Sequence, residues 1–149
     1  MSHKSQEKNM RKLAELLGQD LSYIWGEKED GPNGAKKRFL NTGKVFLRAL
    51  AKDLGLQDAR VRSEPSGIGE SGDCILMGMW QTNGLYINLS QFCGNRENVL
   101  LYRTICHSED YSGGYNHFLT LRDLAEMSYL DLLFLLASLR EEGCHERAA

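Results

Sequence analysis

The stretch CILMGMWQTNGLYINLS, residues 74–90, decides the fold class of this chain. Two apolar runs, Cys74 to Trp80 and Leu85 to Ser90, flank Asn83-Gly84, a dipeptide suited to the positive backbone angles of a tight hairpin turn. With Asn83-Gly84 as a two-residue turn, Thr82 faces Leu85, Trp80 faces Ile87 and Gly78 faces Leu89, and that side is expected to meet the core. The opposite side pairs Gln81 with Tyr86, Met79 with Asn88 and Met77 with Ser90, half apolar and half polar. Apolar residues on both sides of one hairpin predict cover on both faces, or a partner on one of them.

Working outward, Ala59 to Ser63 alternates small or apolar residues with Arg60 and Arg62 and reads as a preceding strand. Val99 to Cys106 reads as a fourth, reached through Phe92-Cys93-Gly94-Asn95. Helical periods bracket these strands. Residues from Gln6 to Leu17 place Met10, Leu13, Leu16 and Leu17 on one face, and Gly18 suits a helix stop. Asp20 is positioned to cap a short further helix with Leu21, Ile24 and Trp25. Residues 27–34, with Gly31-Pro32-Asn33-Gly34, read as a loop.

A long helix follows from Ala35 to Leu54, ended by Gly55. Phe39, Phe46, Leu47, Leu50 and Leu54 share its inner face, with Gly43 allowing close packing. After the strands, Thr120 with Asp123 and Ser128 with Asp131 each resemble a helix cap with an acid three residues on. The helix from Tyr129 to Glu142 is leucine-rich on more than one face, which predicts burial against the sheet and a second surface. Gly143 ends it, and residues 143–149 read as a frayed tail. The order is helices, an antiparallel meander of about four strands, then helices: an α+β fold expected to form one domain over 1–149, with 1–34 a helical segment and loop.

Two phosphate-binding patterns fail on context. Gly67-Ile68-Gly69-Glu70-Ser71-Gly72 has the spacing of a dinucleotide fingerprint, but a strand-like run follows it where a helix N-terminus is required. Asn41-Thr42-Gly43-Lys44 has the end of a P-loop, yet Val45 stands where a hydroxyl would hold magnesium, and the segment lies inside a helical period. No cofactor is expected. Neither CxxC nor HxxxH spacing occurs, and no metal set is expected.

The densest chemistry lies in YRTICHSEDYSGGYNHF, residues 102–118. Arg103, His107, Asp110, Tyr111, Asn116 and His117 are its candidate binding residues, because long, chemically rich connections tend to bind ligands. A small metal- or thiol-dependent hydrolase would draw instead on Cys106, His107, Asp110 and His117, with nucleophile and base in hydrogen-bonding reach. Asp110 accepting backbone N–H groups and a Gly113-Gly114 turn give the same segment a purely structural reading. That reading leaves no catalytic residue assigned and favours a non-enzyme.

A formal net charge of −2 argues against a generic nucleic-acid coat or a polyanionic mimic. The charge is nonetheless uneven. Lys36, Lys37, Arg38, Lys44, Arg48, Lys52, Arg60 and Arg62 lie close together against only Asp53 and Asp58. Lys37, Lys44, Arg48 and Lys52 fall on one helical stripe, an electrostatic surface that Arg60 and Arg62 extend. A basic stripe of this kind can contact phosphates. No apolar run is long enough for a membrane span, and the N-terminal residues do not form a secretory h-region. Four dispersed cysteines are expected to be reduced in a cytoplasmic protein.

The runs KKRFLNTGKVFLRALAKDLGL, RVRSEPSGIGESGD, GLYINLS and YRTICHSEDYSGGYNHFL together resemble small uncharacterised accessory proteins of bacterial phages and plasmids. The resemblance covers Lys36 to Leu119. It implies a setting in which such proteins bind host or nucleic-acid machinery and some inhibit host defence, CRISPR systems included. The expectation is a non-enzymatic binding protein with a macromolecular partner, protein or nucleic acid. A homo-oligomer built through the leucine-rich C-terminal helix is a further reading.

Overall fold

The computed structural model describes residues 3–18, 35–64, 73–91, 97–107 and 114–142. The expected helix at Asp20, the loop at 27–34, the glycine pattern at 67–72, the Phe92–Asn95 connection, Gly143 and the tail lie outside the described residues, as do Asp110 and Tyr111.

The chain is α+β, as its patterning predicts. Helices α1 (His3–Leu17) and α2 (Ala35–Asp53) precede strands β1 (Gln57–Glu64), β2 (Asp73–Met79), β3 (Gly84–Leu89), β4 (Asn98–Ile105) and β5 (His117–Thr120). Helices α3 (Leu121–Glu126) and α4 (Tyr129–Glu142) follow. The strands form one antiparallel meander in the order β1-β2-β3-β4-β5. The fifth strand, which begins at the end of the segment read as a loop, extends the four expected.

Period-two alternation sorts the sheet into two faces. Val61, Leu76, Ile87, Tyr102 and His117 make one cross-strand row of the inner face. Leu76, Ile87 and Tyr102 join Met10, Leu13, Phe39, Phe46, Leu50, Leu132 and Leu136 from the helices in a single hydrophobic cluster. The outer face carries Arg62, Ile75, Asn88, Leu101 and Phe118 in one row. Ile75 and Met77 are buried there without belonging to that cluster. The hairpin expectation is therefore half right: both faces hold buried apolar residues, but the register differs.

Gly78 faces Leu85 and Leu76 faces Ile87, so the connection spans residues 80–83 and Gly84 already lies in the strand. The turn closes through the Trp80 N–H donating to Asn83 O at 2.7 Å. Parity is unchanged, which keeps every side chain on its expected face. Two tertiary bonds hold the longer turn: Trp80 Nε1 donates to Leu54 O at 2.9 Å, and Asn83 Nδ2 donates to Leu139 O at 3.0 Å.

α2 lies tightly on the sheet at Gly43, where an added Cβ would stand 2.5 Å from Cys74 Sγ. Its end is a complete Schellman motif: the Leu56 N–H donates to Ala51 O, the Gly55 N–H to Lys52 O, and Gly55 takes φ +68°. α1 ties the other helices together. Gln6 Nε2 donates to Phe46 O, Arg11 Nη1 donates to the carbonyls of Leu124 and Met127, and Glu7 accepts from the Tyr129 N–H at the start of α4. The caps read from sequence are present, with Thr120 and Asp123 forming a capping box and Ser128 accepting from the Asp131 N–H.

Candidate nucleic-acid interface

The Schellman turn at Gly55 folds β1 back along α2, and a bulge between Gln57 and Arg60, with Asp58 at φ +51°, twists the strand. β1 is an edge strand. Among the described residues no strand pairs with its other side, and between that side and α2 runs a groove of about 670 Å³, lined by Arg48 and Lys52 from α2 and Arg60 from β1. Ala51, Leu56, Ala59 and Val61 supply its apolar lining. Among the described residues, Arg48, Lys52 and Arg60 make no ion pair and no side-chain hydrogen bond. All three are exposed.

The rest of the basic set spreads away from this groove. Lys37 is exposed and Lys44 half-buried on the same α2 stripe, and Arg62 is exposed on the outer sheet face two residues beyond Arg60. The sequence period found the stripe. What it missed was the return of β1 along α2, although Gly55 followed at once by an alternating run carries that information.

The residues expected to bind within 102–118 divide. Arg103 donates from Nη1 to Asn116 Oδ1, from Nη2 to Gly114 O, both at 3.0 Å, and from Nε to Thr104 O at 3.3 Å. These bonds clamp residues 114–116 against β4. A Cβ on Gly114 would collide with Thr104, so the clamp depends on a residue without a side chain there. Arg103 and Asn116 are thus brought together as a support of the β4–β5 connection. His117 lies on the inner face, stacked on Tyr102 at 5.1 Å between ring centroids. His107 is exposed at the end of β4, and Asp110 and Tyr111 lie outside the described residues.

The hydrolase constellation is not assembled among the described residues, where no three His, Cys, Asp or Glu side chains gather. Cys106 is disulfide-bonded, so the expectation of reduced thiols fails at that residue, and in the bonded form no thiol stands there to act as nucleophile. Cys74 is a free thiol, but burial pushes it up to about 12, with Asp73 adding to the shift and Lys44 opposing it. A thiol so raised is inert at neutral pH.

Against known proteins, the chain matches no family model, no curated protein and no solved structure. Among the described residues no helix is long and apolar enough to cross a membrane.

Proposed function

We propose that this chain is a non-enzymatic binding protein that engages a polyanionic partner, the phosphate backbone of a nucleic acid, along the groove between α2 and β1. The observation that carries the reading is the meeting of Arg48, Lys52 and Arg60, none of them ion-paired among the described residues, on one groove with an apolar lining. Three cations in one channel focus a positive potential that the net charge of −2 conceals. Among the described residues no aromatic side chain lines the groove, so the reading assigns it phosphate contacts, which position a nucleic acid without selecting its sequence. The setting that goes with this reading is that of an accessory protein of a phage or plasmid, acting on host or nucleic-acid machinery, with inhibition of host defence as its biological use.

Fluorescence anisotropy with mixed-sequence duplex and single-stranded oligonucleotides tests it. Three phosphate contacts give a log–log salt slope of about −2.7 on duplex, so affinity should fall roughly 40-fold between 50 and 200 mM salt. Arg48→Glu, Lys52→Glu and Arg60→Glu combined should abolish the salt-dependent signal, while Lys12→Glu on exposed α1 surface should leave it intact. Salt-independent binding, or binding unchanged in the triple variant, would sink the reading.

A cytoplasmic setting belongs to the same proposal; the Cys106 disulfide stands against it, because a reducing pool opens such bridges. Alkylation of Cys106 at the moment of lysis, read by mass spectrometry, tests it: a free thiol in intact cells supports the cytoplasmic setting. A bridge already closed in intact cells would place the chain in an oxidising compartment instead.

A further inference from the structure

α4 is built with two apolar faces. Tyr129, Leu132, Leu136 and Leu139 are buried, whereas Leu130 is 49% exposed and Phe134 69%. Along the second face runs a groove of about 290 Å³, with Leu54 and Trp80 on its α2 side and Phe134 on the α4 side. Its two ends carry opposite charges. Asp53 is held at the first turn of α4 by the Tyr129 hydroxyl, which donates to Oδ2 at 2.5 Å, and Arg140 lines the groove three turns later.

From this arrangement we infer that α4 and the end of α2 form the interface of a homodimer, with a second copy of this chain as the occupant of the groove. The argument is symmetry. A twofold contact uses one patch twice, so the patch must complement itself. An apolar strip with an acid at one end and a base at the other does so when two copies lie antiparallel, because each Arg140 then meets the other copy's Asp53. Phe134 falls midway between residues 129 and 140, which sets the two Phe134 rings together at the axis. Leu130 of one protomer then lies over Ala137 and Ser138 of its partner, which are small. The remaining charges fit the same register. Glu141 faces the N-terminal turn of the opposing α4, where free N–H groups favour an acid, and Asp131 and Glu142 point off the strip at helical spacing. Glu126 is engaged by Arg122 at 2.9 Å.

The inference is independent of the basic groove and is tested without nucleic acid. Sedimentation velocity from micromolar to submillimolar concentration, with reductant to remove intermolecular disulfides, should show the mass doubling. Phe134→Glu should return the monomer, and at micromolar concentration, where the wild type is monomeric too, its thermal transition should be unchanged, since that side chain is exposed. Arg140→Asp and Asp53→Arg should each weaken the dimer at least about tenfold, by setting like charges face to face twice. Mixing those two variants restores both ion pairs and should regenerate a heterodimer that neither forms alone. A wild-type monomer at submillimolar concentration, a dimer that survives Phe134→Glu, or a mixture that stays monomeric would each overturn the inference. The first outcome would leave this face to a helix of another protein.

Discussion

Trp80→Ala should lower the free energy of unfolding by about 3–5 kcal/mol, the range for removing a buried large aromatic side chain. Trp80 is 5% exposed and stands where three elements meet. Its indole N–H donates to Leu54 O at the end of α2, its backbone N–H closes the β2–β3 turn on Asn83 O, and its ring lines the groove against α4. Truncation empties the space filled by the ring and strands the Leu54 carbonyl. Trp80→Phe keeps much of the ring and loses the donor, so it should cost about 1–3 kcal/mol for an unsatisfied acceptor. Urea unfolding at micromolar concentration, where a dimer does not contribute, separates the two terms. A loss below about 1 kcal/mol for Trp80→Ala would show that the ring is not part of the core.

Trp80 also shows where sequence reading reached and where it stopped. The apolar alternation of residues 74–90 placed its face correctly, because side-chain parity is local to the strand. The register went wrong because Asn83-Gly84 has strong turn chemistry of its own. In the folded chain that dipeptide answers to distant partners: Asn83 is fully buried and spends its amide on Leu139 O, 56 residues away. A competing tertiary hydrogen bond leaves no trace in a short window. The helix boundaries were legible for the opposite reason. Gly55, Thr120 and Ser128 act through neighbours no more than a few residues distant, and each performs the capping role its position predicts.

The candidate site was legible to a smaller degree. Helical spacing found Lys37, Lys44, Arg48 and Lys52, but whether Arg60 joins them depends on how β1 returns along α2, which is a matter of topology. The rich segment from Tyr102 drew attention through its composition. Composition does not distinguish a guanidinium held ready for a ligand from one spent on Asn116 Oδ1 and Gly114 O. Nor does it reveal that β5 sends His117 inward onto Tyr102 while Phe118 turns to the outer face. The second apolar face of α4 was visible in its leucine content. Its charged ends were not, because Asp53 comes from α2 and reaches α4 only in the folded chain.

Raising the pH from 9 to 12 should destabilise the fold by about 3 kcal/mol through Cys74 alone, most of the linkage expected for a shift of that size. The thiol sits under α2 against Gly43, with Sγ 3.5 Å from Leu40 O and 4.0 Å from Phe39 O. Ionised, it would stand against two carbonyl oxygens while fully buried, so the native chain keeps its proton. The unfolded chain releases that proton near pH 9.0, the ordinary value. Stability from this group is therefore complete below pH 9 and is lost as the pH rises towards 12. Tyr129 and Tyr102 act in the same direction above pH 10, Tyr129 raised by burial and then by its bond to Asp53, Tyr102 by burial and then by Asp123 and Glu142. Denaturation midpoints measured across this range should fall more steeply for the wild type than for Cys74→Ala, which has no proton to hold at that site. Parallel curves for the two proteins would assign the alkaline loss to the tyrosines and remove the buried thiol from the account.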